Sequence, residues 1–148
     1  MTEARFSLAS AAAERLGGCN SIGCEVRTDA DLVAAVEAGF RPESLAALSA
    51  GGVSDQEIAT LVINPRTLSH RRAKGERLTV DESDRAARLA RTMALADRTF
   101  ANSDKASRWL HKELRVLGGR RPIDLIRTQV GARIVEDVLR RIAWGAPS

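Results

Sequence analysis

Aromatic side chains are almost missing from this chain: three Phe, two Trp and no Tyr among 148 residues. Leu, Ile, Val and Ala must therefore build the core, and such residues pack well between helices. Cysteine is as scarce, with only Cys19 and Cys24, in CNSIGC. A disulfide between them would be unusual in a reducing cytosol. A structural zinc site normally needs four ligands, and the only histidines, His70 and His111, lie in separate segments. The pair therefore reads as two free thiols near a turn, and neither a metal nor a cofactor is expected. No run approaches the ~18 uninterrupted apolar residues of a membrane span. MTEARFSLASAAAERLGG, with Glu3, Arg5 and Glu14 around its Ala-rich middle, reads as an amphipathic helix rather than a signal peptide. A cytoplasmic location follows as the expectation. A phosphate-binding Gly loop and a nucleophile beside a plausible base are also lacking, which argues against an enzyme.

What the chain does contain is helix signals from end to end, and the fold class expected is all-α. Apolar residues make up 44% and charged residues 28%, a globular composition. A first helix over residues 4 to 16 stops at Gly17-Gly18, and a polar link follows to about residue 28. Asp29 is placed to cap a second helix bearing Leu32, Val33 and Val36, and Pro42 to open a short third one ended by Gly51-Gly52. Ser54 and Glu57 have capping-box spacing, with Val53 and Ile58 as a hydrophobic staple. Asn64 then caps a helix with Pro65 first and Gly75 as its stop, only a few residues on, the size of a helix-turn-helix connection. A second capping box, Thr79 to Glu82, opens a long helix to about Phe100. After a helix with Trp109 and Leu110, LGGRRP breaks the chain. A last helix over about Ala132 to Ala143 aligns Ile134, Val135, Val138, Leu139 and Ile142, with Glu136–Arg140 and Asp137–Arg141 as outward i, i+4 pairs. Three regions result: 1–28, an N-terminal helix and linker of possible use in dimerisation; 29–101, the helix-turn-helix region; and 102–148, a small C-terminal helical domain.

Charge picks out one stretch. Residues 66 to 77 hold Arg66, Arg71, Arg72, Lys74 and Arg77 against Glu76 alone, a net +4, and the whole chain is also +4. On a wheel of ~100° per residue, Arg66, Ser69, His70, Ala73 and Lys74 share one face while Leu68 points the other way as an anchor. A recognition helix needs this mixture: hydrogen-bonding side chains for base edges and cations for phosphates. The candidate DNA-binding residues are Arg66, Thr67, Ser69, His70, Arg71, Arg72 and Lys74, with Arg71 and Arg72 reaching toward backbone phosphates. The alternative is a solvated basic helix, the usual fate of a charge run.

NPRTLSHRRAKGERLTVDESDRAARLAR resembles the helix-turn-helix half of the Xre-type antitoxins that are paired with RES-domain toxins. WLHKELRVLGGRRPIDLIRTQVGARIVEDVLRRIAWG resembles the toxin-binding half of the same family. The most characteristic pieces are PRTL, LT..ESDR, LGG..P.DL and GAR.VED.L.RI..G, and the resemblance spans about residues 40 to 145. It implies a cytoplasmic bacterial antitoxin, not an enzyme. Such a protein represses its own promoter by binding double-stranded DNA, dimerises, and inactivates a RES-domain toxin that depletes NAD. The family often carries a proline before the LGG turn where this chain reads HKELRV, which leaves the geometry before Gly118 open.

Gly118-Gly119, Arg121-Pro122 and Gly131-Ala132 read as fold determinants. Toxin-binding residues are sought instead among Arg133, Glu136, Asp137, Arg140, Arg141 and the tail Trp144, Gly145, Ala146, Pro147 and Ser148. Trp144 either packs back on Trp109 or Leu110, or stands exposed for insertion into a partner's cleft, as hot spots favour Trp and Arg. The competing function is a plain helix-turn-helix regulator whose C-terminal half only dimerises.

Overall fold

The structure is a computed structural model that describes residues 7–145. The start expected for the first helix at residue 4, and the tail residues Ala146, Pro147 and Ser148, lie outside the described residues. Helices and turns make up the described chain, joined by a single isolated β-bridge between Leu114 and Arg120. The all-α expectation holds. No helix among the described residues is long and apolar enough to cross a membrane.

The helices, in order, are α1 (Leu8–Arg15), α2 (Cys19–Ile22), α3 (Asp29–Ala38), α4 (Glu43–Ala50), α5 (Asp55–Leu61), α6 (Pro65–Lys74), α7 (Val80–Phe100), α8 (Ser103–Leu110), α9 (Pro122–Leu125) and α10 (Gln129–Ala143), with a 3-10 turn at Arg115–Leu117. The chain forms two compact units that divide within α7, Met1–Arg91 and Thr92–Ser148. The sequence expectation put the boundary at the end of that helix.

In the first unit α1 packs on α2 and α3, α2 on α4, and α4 on α5. Leu16, Ile22, Phe40, Leu45, Leu48 and Ile58 are buried there. The starts of its helices follow side-chain chemistry. Ser54 Oγ accepts from the Glu57 amide at 3.1 Å while Glu57 Oε1 accepts from the Ser54 amide at 2.9 Å, so α5 opens on the expected capping box. Helix α3 opens one residue earlier than expected: Thr28, not Asp29, is the cap, and Asp31 completes its box. The polar link contains α2, a single helical turn that buries Ile22. Gly39 is forced by its surroundings. Its φ is +86°, and a Cβ there would run into the Leu78 backbone carbonyl. That tight approach lets the Leu78 amide donate to Phe40 O at 2.8 Å and the Phe40 amide donate to the buried Ser83 Oγ at 2.9 Å.

In the second unit α9 packs on both α8 and α10. Leu110, Leu117, Ile123, Ile126, Val135 and Leu139 are buried. Between α8 and α9 the chain reverses in a small loop: the Leu114 amide donates to Arg120 O at 3.1 Å, and the Gly119 amide donates to Leu114 O at 2.9 Å. Gly118 and Gly119 take φ of +68° and +84°, so the loop forms on glycine without the family's proline. Helix α10 begins at Gln129, three residues before the expected start, with Thr128 Oγ1 accepting from the Gly131 amide at 3.0 Å. Gly131 reads as a fold determinant in sequence. In the fold its missing side chain leaves room for the Leu125 carbonyl.

Candidate functional site

Three residues, Val62, Ile63 and Asn64, join α5 to α6. Asn64 Oδ1 accepts from the Arg66 amide at 2.8 Å and the Thr67 amide at 3.4 Å, and Pro65 follows at the first helical position, where a missing amide hydrogen costs nothing. Gly75 ends the helix in the left-handed region at φ +64°. Helix α6 is thus fixed at both ends by local chemistry, yet it buries none of its own side chains. Leu68, expected as its anchor, is only half-covered. It borders a groove of about 380 Å³ whose walls include Leu45, Ile58, Ile63 and Pro65, with Arg72 on the rim.

Arg66, Ser69, His70, Ala73 and Lys74 are all exposed, as the wheel requires, and Thr67 is half-buried. The cations of the stretch divide into two kinds. Arg66, Arg72 and Lys74 are exposed, and no carboxylate among the described residues pairs with them. Arg71, half-buried, and Arg77, exposed, are both engaged by other parts of the fold. Arg77 Nη1 donates to Gly39 O at 3.1 Å. Arg71 donates from Nε to Glu82 Oε1 at 2.9 Å and from Nη2 to Glu82 Oε2 at 3.1 Å, a two-pronged ion pair, and from Nη1 to Glu76 at 3.3 Å. Burial opposes the charged form of Glu82. Hydrogen bonds from Arg71 and the Thr79 amide outweigh that penalty and hold its carboxyl below the usual range. Arg71, in turn, is held protonated first by its hydrogen bonds to Glu82. The wheel could not show this, because the partner of Arg71 lies eleven residues away on another helix.

The second unit presents a different surface. Along α10, Val135, Val138 and Leu139 face inward. Val130, Ile134, Asp137, Arg141 and Trp144 recur on the opposite side, within an arc of ~80°. Val130 is 69% exposed, Ile134 45% and Trp144 89%. Ile134 therefore does not belong to the packed stripe in which the sequence placed it. Of the two alternatives for Trp144 the exposed one is found, and Trp109 packs on Phe100 instead, with ring centroids 5.6 Å apart. Arg133 and Gly145 are exposed as well. Of the two ion pairs expected, Glu136–Arg140 forms, at 3.7 Å, whereas Asp137 pairs with Arg140, at 3.6 Å, and not with Arg141. Arg141 stays exposed, without a carboxylate partner among the described residues. Val130 was missed because the last helix was expected to begin only at about Ala132, and Ile134 because an apolar residue on an amphipathic helix is assigned to the core by default.

Among the described residues no cluster of His, Cys, Asp or Glu could hold a metal ion, and both cysteines are free. These features define a class: a helix-turn-helix unit with a bare cationic helix, followed by a helical unit with an exposed apolar and arginine-bearing stripe. Residues 31–91 match the model of the antitoxin Xre-like helix-turn-helix domain, and residues 95–145 match that of the antitoxin Xre/MbcA/ParS C-terminal toxin-binding domain. An antitoxin Xre of Pseudomonas putida is 36% identical over 121 residues, 82% of this chain and 76% of the relative. Antitoxin Xre proteins of Yersinia enterocolitica and Photorhabdus laumondii are 37% and 36% identical over 84 and 87 residues, covering 56% and 58% of this chain and 57% and 59% of their own lengths. The chain belongs to the Xre antitoxin family.

Proposed function

We propose that this chain is the cytoplasmic antitoxin of a type II toxin–antitoxin pair, which neutralises an NAD-depleting RES-domain toxin and represses its own promoter as a homodimer. The observation that carries the reading is the order of its parts: a helix-turn-helix match on residues 31–91, then a toxin-binding match on 95–145. The RES class is what the resemblance of LGG..P.DL and GAR.VED.L.RI..G implies. Arg66, Ser69, His70 and Lys74 face the bases, with Ala73 allowing close approach, and Arg72 takes a phosphate. Arg71 leaves the phosphate-binding set and positions α6. On α10 the toxin docks along Val130, Ile134, Arg141 and Trp144, where an exposed Trp beside an Arg suits an interface hot spot.

The test is cellular NAD and growth during induction of the RES-type protein encoded next to this chain. Full-length chain should preserve both. Trp144→Ala, at a residue with almost no intramolecular contact, should leave the fold intact and weaken toxin binding by about 2 kcal/mol or more. NAD that falls equally with and without the full-length chain overturns the reading, and full protection by Trp144→Ala removes that residue from the interface.

A further inference from the structure

The net charge of +4 hides a division. Residues 92–148 carry eleven Lys and Arg against six Asp and Glu, a net +5, whereas residues 1–91 carry twelve against thirteen, a net −1. The more basic unit is the second. Its excess is concentrated between Lys105 and Arg127, where seven cations face two acids, Glu113 and Asp124. Asp124 is already committed, accepting from Arg121 Nε at 2.9 Å and Arg121 Nη2 at 2.8 Å.

Lys105, Arg108 and Lys112 fall within ~60° of one another along α8 and the turn that continues it. The Lys112 amide still donates to Trp109 O at 3.2 Å there. Arg115 follows in the 3-10 turn, and Arg120 pairs in the isolated bridge with Leu114, the residue before Arg115. All five are exposed, and Lys105, Arg108, Lys112 and Arg115 have no carboxylate partner among the described residues. That is four bare cations, against the three of α6. Holding like charges close together weakens a fold, so such a cluster suits a surface that meets an anion.

Two kinds of partner carry enough negative charge: an acidic protein face and a nucleic-acid backbone. Interface cores between proteins are apolar and poor in Lys. The surface of α8 and its following turn offers one exposed large apolar residue, Val116, whereas the exposed apolar residues of α10 are Val130 and Ile134. We infer that Lys105, Arg108, Lys112 and Arg115 form a second polyanion-binding surface, which grips the phosphate backbone of double-stranded DNA independently of its sequence. This surface goes beyond the recognition helix and does not depend on α6 reading an operator.

The test uses the full chain and a non-operator duplex, with affinity measured against salt concentration. Each phosphate contact contributes about 0.9 to the slope of log affinity against log salt. The variant Lys105→Gln, Arg108→Gln, Lys112→Gln should lower that slope by roughly 2–3 at an unchanged melting temperature, and Lys105→Arg with Lys112→Arg should preserve it. An unchanged slope in the Gln variant overturns the inference. So does a Gln variant whose slope holds while its association with the toxin slows at low salt, which assigns the surface to an acidic protein face. Arg66→Ala with Lys74→Ala, assayed for operator preference, tests α6 separately, so either surface can fail without the other.

Discussion

Replacing Glu82 by Gln separates two forces that push DNA binding in opposite directions. Glu82 Oε1 accepts from Arg71 Nε and from the Thr79 amide, the latter at 2.8 Å, and Oε2 accepts from Arg71 Nη2. One carboxylate thus closes the cap of α7 and clamps α6, a helix that buries no side chain of its own. Glu82 is 9% exposed and Arg71 18%, so the pair is shielded enough to matter. Gln keeps one acceptor oxygen but loses the charge and one of the two prongs. Hydrogen bonds to charged groups are worth about 1.5–3 kcal/mol, which puts the loss near 2 kcal/mol and sets a ceiling of roughly thirtyfold on any fall in affinity. The substitution also removes a negative charge from the basic region. Coulomb attraction alone would therefore tighten DNA binding, whereas a positioning role weakens it. Fluorescence anisotropy on the promoter duplex reads the sign, and hydrogen exchange of the α6 amides reads the clamp directly. Equal or tighter binding with unchanged exchange in α6 would refute the positioning argument. Toxin binding should not change in either case.

The same carboxylate sets a pH dependence, and two further substitutions probe the backbone. Because the Glu82 carboxyl is held below its ordinary value, its stabilisation is complete above the unfolded-state pKa and is lost as pH falls through the folded one. The wild type should lose stability on acidification more steeply than Glu82→Gln, as read by thermal melts. Gly131→Ala, at a position where the Leu125 backbone carbonyl fills the place of a Cβ, should destabilise by about 2 kcal/mol or more, and a melting temperature close to wild type would contradict that packing. Ala101 holds φ at +52° just after α7. Ala101→Gly should stabilise by about 0.5 kcal/mol, since relief of left-handed strain slightly exceeds the added freedom of the unfolded chain.

Local chemistry was legible in the sequence and pairwise tertiary chemistry was not. Ser54 with Glu57, Thr79 with Glu82, and Asn64 before Pro65 announce the starts of α5, α7 and α6, because a cap is satisfied within four residues. The exposed face of α6 followed from periodicity alone. The use of Arg71 did not, since its partner is on α7. Gly131 reads as a fold determinant, and it is one, since its missing side chain lets two backbones meet. Ile134 misled: an apolar residue was assigned inward when this helix keeps an apolar strip outward. The basic character of the second unit was hidden by arithmetic, its surplus cancelled by acids elsewhere in the chain.

Helix α7 also bears on how such a protein can be taken apart. A chain severed between Arg91 and Thr92 would leave twelve helical residues on one fragment and nine on the other. Both are at or below the length at which a helix holds alone in water, and each would have a raw end of unsatisfied backbone groups. Recombination that trades one half of this antitoxin for that of a relative therefore has no clean seam at the boundary between its units. A viable chimera must carry the helix whole from one parent, or splice two parental helices turn for turn.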